Sequence, residues 1–161
     1  MSLLERAERN IDAVAWQGEI PIQNRYTVGL AGERFLRELK ESGRLLGSRC
    51  PECDYVYVPP TLYCERCFEK LDDWIEVGPE GTVVSFTIVT QALDGTPLAD
   101  PDILALIRLD WADSLLVHRL GKVSLDELEI GLWVKPVLKP KNRREGSILD
   151  IQYFAPAYHE E

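Results

Sequence analysis

Apolar positions along this chain follow three regimes. Over residues 2–15, Leu3, Leu4, Ala7, Ile11 and Val14 recur at three- and four-residue spacing, with Glu5, Arg6, Glu8 and Arg9 between them. That period predicts an amphipathic helix. A helix so short is marginal alone, so its apolar stripe needs either the protein's own core or another subunit. Residues 16–28 hold Trp16, Pro21, Ile22 and Tyr26 without a period and read as an extended arm. A second helix is predicted over residues 32–42, with Phe35, Leu36 and Leu39 on its apolar face and Gly43 as its stop.

From residue 44 the period shortens. Residues 44–49 and 55–58 read as strands, the latter ended by Pro59-Pro60, which remove amide donors. Residues 73–77 read as a third strand. Residues 78–154 are all-β in pattern. A turn cluster at 78–81 precedes a strand at 82–91, with Val84, Phe86 and Ile88 on one face and Val83, Ser85, Thr87 and Val89 on the other. Residues 92–102, with Gly95, Pro97 and Pro101, read as a loop. Strands at 103–110 and 115–121 follow. Ser124-Leu-Asp-Glu127 matches a capping box and predicts one helical turn. Further strands at 132–138 and 147–154 flank a basic loop at 139–146. Five strands with a small helix between the third and fourth is the element order of an OB-fold. The expected architecture is therefore mainly β: an N-terminal helical arm (1–43), a ribbon (44–77) and a five-stranded OB-fold barrel (78–157).

The ribbon carries the clearest chemistry. All four cysteines, Cys50, Cys53, Cys64 and Cys67, fall within 18 residues at C-x2-C-x10-C-x2-C spacing. Each C-x-x-C turn offers two sulfurs from one piece of backbone, and two such turns close a tetrahedral thiolate shell. The reading is a structural Zn2+ site, with iron as the alternative metal. Two disulfides would suit a secreted protein, and a redox pair would suit a βαβ context; neither setting is visible. Four thiolates on a divalent ion carry net negative charge and leave no open position for water, so the metal braces structure. Trp74 is expected over this site or at the seam to the barrel.

Charge narrows the function classes. The chain has 161 residues and a formal charge of −9, which disfavours non-specific nucleic-acid binding. No apolar run approaches the roughly 20 residues of a membrane span. The charged N-terminal stretch does not suit a secretory signal, and a cytoplasmic location is expected.

At this level the chain resembles the DUF35 family of zinc-ribbon plus OB-fold proteins. The resemblance is carried by Phe35-Leu36 with Gly43-Arg-Leu-Leu-Gly-Ser-Arg-Cys50, by Pro59-Pro60 before Cys64, and by Trp74-Ile-Glu-Val77. It continues through Gly81-Thr-Val-Val-Ser-Phe-Thr87, Ile130-Gly-Leu-Trp-Val134 and Phe154-Ala-Pro-Ala157, covering roughly residues 30–157. It implies a non-catalytic subunit working beside a thiolase or thiolase-fold acyltransferase and assisting acyl-CoA binding or transfer. The family often has glycine after each second knuckle cysteine; here Asp54 and Phe68 stand there. Phenylalanine tolerates left-handed backbone poorly, so the second knuckle is expected to turn differently.

The residues agree with a non-catalytic role. A thiolase-type reaction needs an activated cysteine and a base, yet every cysteine is committed to metal. The two histidines are His118, in an alternating strand that would pack it or face it to solvent, and His159, in a polar tail. No G-x-S-x-G elbow occurs. For CoA phosphates, the candidates are Lys139, Lys141, Arg143 and Arg144, four cations in six residues of the loop that flanks an OB-fold's binding face. Arg108, Arg119 and Lys135 are further strand cations. The alternatives are a free-standing acyl-CoA-binding module, or a single-stranded nucleic-acid binder using Phe86, Trp111, Trp133 and Tyr153.

Overall fold

The computed structural model describes residues 26–157; the segment 2–15, most of the arm and His159 lie outside them. Helix α1 spans Gly29–Glu41, three residues earlier than the period alone indicates. It buries Ala31, Phe35 and Leu39, one per turn of a single face. It ends where the Ser42 and Gly43 amides both donate to the Glu38 carbonyl (3.0 and 3.1 Å), with Gly43 left-handed at φ 79°.

The ribbon sheet is β1 (Leu45–Arg49) between β2 (Val56–Tyr57) and β3 (Asp73–Val77), both antiparallel to it. Strand β2 is shorter than expected. Beyond Tyr57 the backbone leaves the ladder, and the Val58 amide donates to the Ser114 hydroxyl at 2.6 Å instead. Trp74 faces α1: the Arg34 guanidinium carbon lies 4.5 Å from the centre of its ring.

Five strands close the barrel in the order β4-β5-β6-β8-β7. They are β4 (Gly81–Gln91), β5 (Pro97–Leu109), β6 (Leu116–Leu120), β7 (Trp133–Leu138) and β8 (Ile151–Pro156). Strand β7 returns to β4 through Gly81–Val134 and Thr82–Trp133, while β6 and β8 run parallel. That is the connectivity of an OB-fold.

Three local expectations are corrected. The segment expected to be a loop from 92 to 102 is mostly strand: only 92–96 turn, and β5 begins at Pro97. A bulge between Val83 and Ser85 breaks the alternation of β4, so Val83 is buried and Phe86 also packs on the core. Bulges of this kind bend a strand, as closure of a small barrel requires. The Ser124 box forms a turn, not a helix, although Glu127 does reach back to the Ser124 amide at 3.2 Å. A full capping box sits instead at Ser147–Asp150, opening the 3-10 turn Ile148–Asp150 and delaying β8 to Ile151.

One apolar cluster runs through all of this. Phe35 and Leu39 of α1, Leu45, Val56 and Val77 of the ribbon sheet, and Val83, Ile107 and Phe154 of the barrel belong to the same buried group. A second, smaller cluster holds Cys50, Tyr57, Cys64 and Leu71. Among the described residues, no helix is long and apolar enough to cross a membrane.

Candidate metal centre and basic loop

The two knuckles have the same backbone. In the first, the Asp54 amide donates to the Cys50 carbonyl (2.9 Å) and the Cys50 amide to the Tyr55 carbonyl (2.9 Å). In the second, the Phe68 amide donates to the Cys64 carbonyl (3.0 Å) and the Cys64 amide to the Glu69 carbonyl (2.8 Å). Asp54 and Phe68 are both left-handed, at φ 53° and 62°. The second knuckle therefore does not turn differently. Its hydrogen bonds impose the glycine-like geometry, and the Phe68 side chain escapes a clash by standing 79% exposed.

The turns bring the four sulfurs within 4.8 Å of one another. Cys50 and Cys67 approach to 3.5 Å, and Cys53 and Cys64 to 4.0 Å. These separations are far beyond a disulfide bond. They suit a tetrahedron with metal–sulfur bonds of about 2.3 Å, whose edges are about 3.8 Å. Cys50 and Cys64 are buried, Cys53 is half-buried and Cys67 is exposed.

Outer contacts tune the sulfurs. The Tyr57 hydroxyl lies 3.3 Å from Cys64 Sγ and accepts the Glu65 amide at 3.1 Å. Burial, and then the Cys64 sulfur, push the Tyr57 phenol up to about 12. Its hydrogen bond outweighs burial, and with the amides of Cys67 and Arg66 it draws the Cys64 thiol down to about 6. Cys53 goes the other way, pushed up to about 12 by the neighbouring Cys67 sulfur and by burial. A cation among the four sulfurs would favour their ionised form. Sequence reasoning missed Tyr57; its signal was the Tyr55-Val-Tyr57 alternation, which places both aromatics on one face, the cysteine side of the ribbon.

The basic loop divides in two. Arg144 is part of the fold: its Nε donates to the Lys139 carbonyl at 2.9 Å and its Nη1 to the Leu39 carbonyl of α1 at 3.4 Å. The Lys139 ammonium lies 3.7 Å from a fully buried carboxylate, Asp150. Lys141 and Arg143 stand exposed on the 3-10 turn Lys141–Arg143. The loop's shape comes from Asp150, which accepts the amides of Glu145, Gly146 and Ser147 at 2.7–3.2 Å. Burial pushes this acid up, but those three amides and Lys139 outweigh it and hold the carboxyl below its usual range. Asp150 was also missed, although Ser147-Ile-Leu-Asp150 carries the same box pattern as Ser124–Glu127.

Of the remaining candidates, Arg119 pairs with Asp102 at 3.1 Å, while Arg108 and Lys135 are exposed. His118 is buried, edge-on to Phe154 with ring centres 5.5 Å apart. Its nitrogens face the Arg119 and Ile148 carbonyls at 3.4 and 3.5 Å. That is a packed histidine. Across β4, β5 and β6, Phe86, Thr87, Leu104, Leu106 and Val117 line a shallow apolar groove of about 260 Å3.

Comparison with known proteins follows the same division. Residues 37–72 match the family model described as the ChsH2 rubredoxin-like zinc ribbon domain, and residues 74–139 that of the ChsH2 C-terminal OB-fold domain. A DUF35 domain-containing scaffold protein of Methanocaldococcus jannaschii is 26% identical over 107 residues, 66% of this chain and 75% of that protein. One from Pyrococcus furiosus is 27% identical over 125 residues, 76% of this chain and 90% of that protein. A crystal structure of a DUF35 protein of unknown function from Sulfolobus solfataricus superposes with a TM-score of 0.58 at 34% identity, covering 68% of this chain and 78% of that one. A chain of the Ltp2-ChsH2(DUF35) aldolase shares the fold, with a TM-score of 0.60 at 23% identity over 83% of this chain and all of that one. With its ribbon, its barrel and this relative at 34% identity all pointing one way, the chain belongs to the DUF35 family.

Proposed function

We propose that this chain is a non-catalytic accessory subunit of a thiolase or thiolase-fold acyltransferase complex, assisting acyl-CoA binding or transfer. The observation that carries this reading is the fate of the sulfur. All four cysteines converge on one point, so no thiol is left to attack an acyl group, and the partner must bring the nucleophile. His118, packed between backbone carbonyls and Phe154, is no substitute base. Relatives named as scaffold proteins, and a fold neighbour within an aldolase assembly, support a role in holding another enzyme.

In this reading Cys50, Cys53, Cys64 and Cys67 hold one structural Zn2+, a closed four-thiolate shell that stiffens the ribbon. Lys141 and Arg143, the two loop cations that face solvent without a role in the fold, are the candidates for CoA phosphates. Lys139 and Arg144 contribute by holding the loop's shape. The apolar groove over β4–β6 offers a surface for the pantetheine arm or acyl chain.

The test is co-expression with a thiolase encoded beside this gene, followed by size-exclusion chromatography and thiolysis assays on each subunit alone. Co-elution with no activity in this chain is expected. Separate elution, with full activity in the thiolase by itself, would favour a free-standing acyl-CoA-binding module.

A further inference from the structure

Trp111 combines two unfavourable features. It sits in the turn between β5 and β6 with left-handed backbone, φ 64°, a geometry a bulky L residue adopts only when its surroundings enforce it. It is also 75% exposed, so burial returns little to offset that strain. The enforcement is visible on both sides. The Asp110 amide donates to the Glu80 carbonyl (2.9 Å), and the Asp113 and Ser114 amides both donate to the Val56 carbonyl (3.0 and 3.2 Å). The backbone that carries the indole is thereby fixed, and the ring itself stands in water.

What it borders gives the chemistry. At the seam of ribbon and barrel lies an open groove of about 520 Å3, lined by Trp111, Arg49, Asp54, Ile75, Glu76 and Asp113 among others. The Arg49 guanidinium is engaged by Asp73 at 2.8 Å. Glu76 is also shared with Arg44 at 3.4 Å, whose shorter pair is to Glu38 at 2.8 Å. With these partners counted, the carboxylates of Asp54, Glu76, Asp113, Asp73 and Glu38 still outweigh the two committed cations, Arg49 and Arg44, on a chain whose formal charge is −9. An aromatic face beside acidic groups attracts ammonium and guanidinium ions.

We propose that this groove receives a lysine or arginine side chain of a partner protein, its cation laid on the Trp111 indole and met by Asp54 and Glu76. Tryptophan–arginine contacts on rigid backbone are the kind that dominate interface energetics, because little order is lost on binding. The idea rests on the accessory-subunit reading only in taking the occupant to be a protein; it does not depend on which enzyme that is.

The test uses the full metal-loaded chain and two probes, N-acetyl-triarginine amide and the same peptide built from citrulline, which keeps the shape and loses the charge. Each is titrated while 15N–1H spectra follow the Trp111 indole and the Asp54 amide. Saturable shifts of both with the arginine peptide alone are expected, weakening in Asp54→Asn and with added salt. Trp111→Gly should abolish the Asp54 response without lowering Tm, since glycine accepts φ 64° freely. No shift, or an equal shift with citrulline, would overturn the proposal. So would shifts that follow protein concentration without peptide, which would assign the groove to a second copy of this chain. None of these outcomes bears on co-elution with a thiolase, so the two readings fail separately.

Discussion

Asp113 holds Val56 by both of its backbone polar groups. The Val56 amide donates to the Asp113 carboxylate at 2.8 Å, and the Asp113 amide donates to the Val56 carbonyl at 3.0 Å. Beside it, the Ser114 hydroxyl accepts the Val58 amide and donates to the Val58 carbonyl. The barrel's β5–β6 turn thus covers β2, the edge of the ribbon sheet, and satisfies the donors and acceptors an edge leaves open. Asp113→Ala should cost about 1–3 kcal/mol, because Val56 is 6% exposed and its amide would lose its acceptor. Urea denaturation measures the loss, and hydrogen exchange should localise it to Val56 and Val58. An unchanged midpoint would mean water replaces the carboxylate.

Removing the metal should loosen only part of the ribbon. The cluster of Cys50, Tyr57, Cys64 and Leu71 is separate from the large core that joins α1, β1 and β3 to the barrel. With chelator, amide protection should fall across residues 50–71 and persist at Val77, Ile107 and Phe154. Elemental analysis should find one zinc per chain. Protection lost throughout the barrel would show that the metal supports the whole fold.

Tyr57→Phe removes the hydroxyl that lies 3.3 Å from Cys64 Sγ. The cysteines stay in place, so the metal should still bind. Loss of an outer-shell partner of this kind typically weakens metal affinity about 10- to 100-fold. Competition against a chromophoric chelator reads this directly, and an unchanged affinity would reduce Tyr57 to a packing residue.

Asp150 should make the protein acid-sensitive. Its native carboxyl is held below the usual range, so in acid the unfolded chain takes up the proton first. The stabilisation is complete at neutral pH and is lost as pH falls below about 4 through the native pKa. Asp150→Asn should cost about 2 kcal/mol at pH 7, and the gap to the parent should narrow below about pH 4. A gap constant with pH would exclude Asp150 as the group responsible.

Charge reversal of the exposed loop cations, Lys141→Glu with Arg143→Glu, should weaken CoA binding to the assembled complex. The effect should be larger at low salt than at high, because exposed charges are screened. Neither side chain supports the fold, so Tm should hold. Calorimetry giving the parental affinity would exclude this loop as the phosphate site.

What sequence could decide was whatever a short segment decides alone. Four cysteines in two C-x-x-C turns bring their own backbone geometry, so the cluster was legible without tertiary information. Period-2 runs marked the strands, and Gly43 marked the end of α1, because both signals act over a few residues. Identical local patterns nonetheless had different fates. Ser124-x-x-Glu127 made only a turn, while Ser147-x-x-Asp150 made a full box, since β8 packs behind the second and buries its carboxylate among three amides. Phe68 shows the hydrogen bonds of a turn overriding a residue's own backbone preference. Only the closed barrel decided that the turn around Trp111 would meet the ribbon 57 residues earlier in the chain, with Asp113 facing Val56. Local sequence sets which donors and acceptors a segment carries; which of them meet is set by long-range closure, where one buried amide left unpaired costs more than any local preference returns.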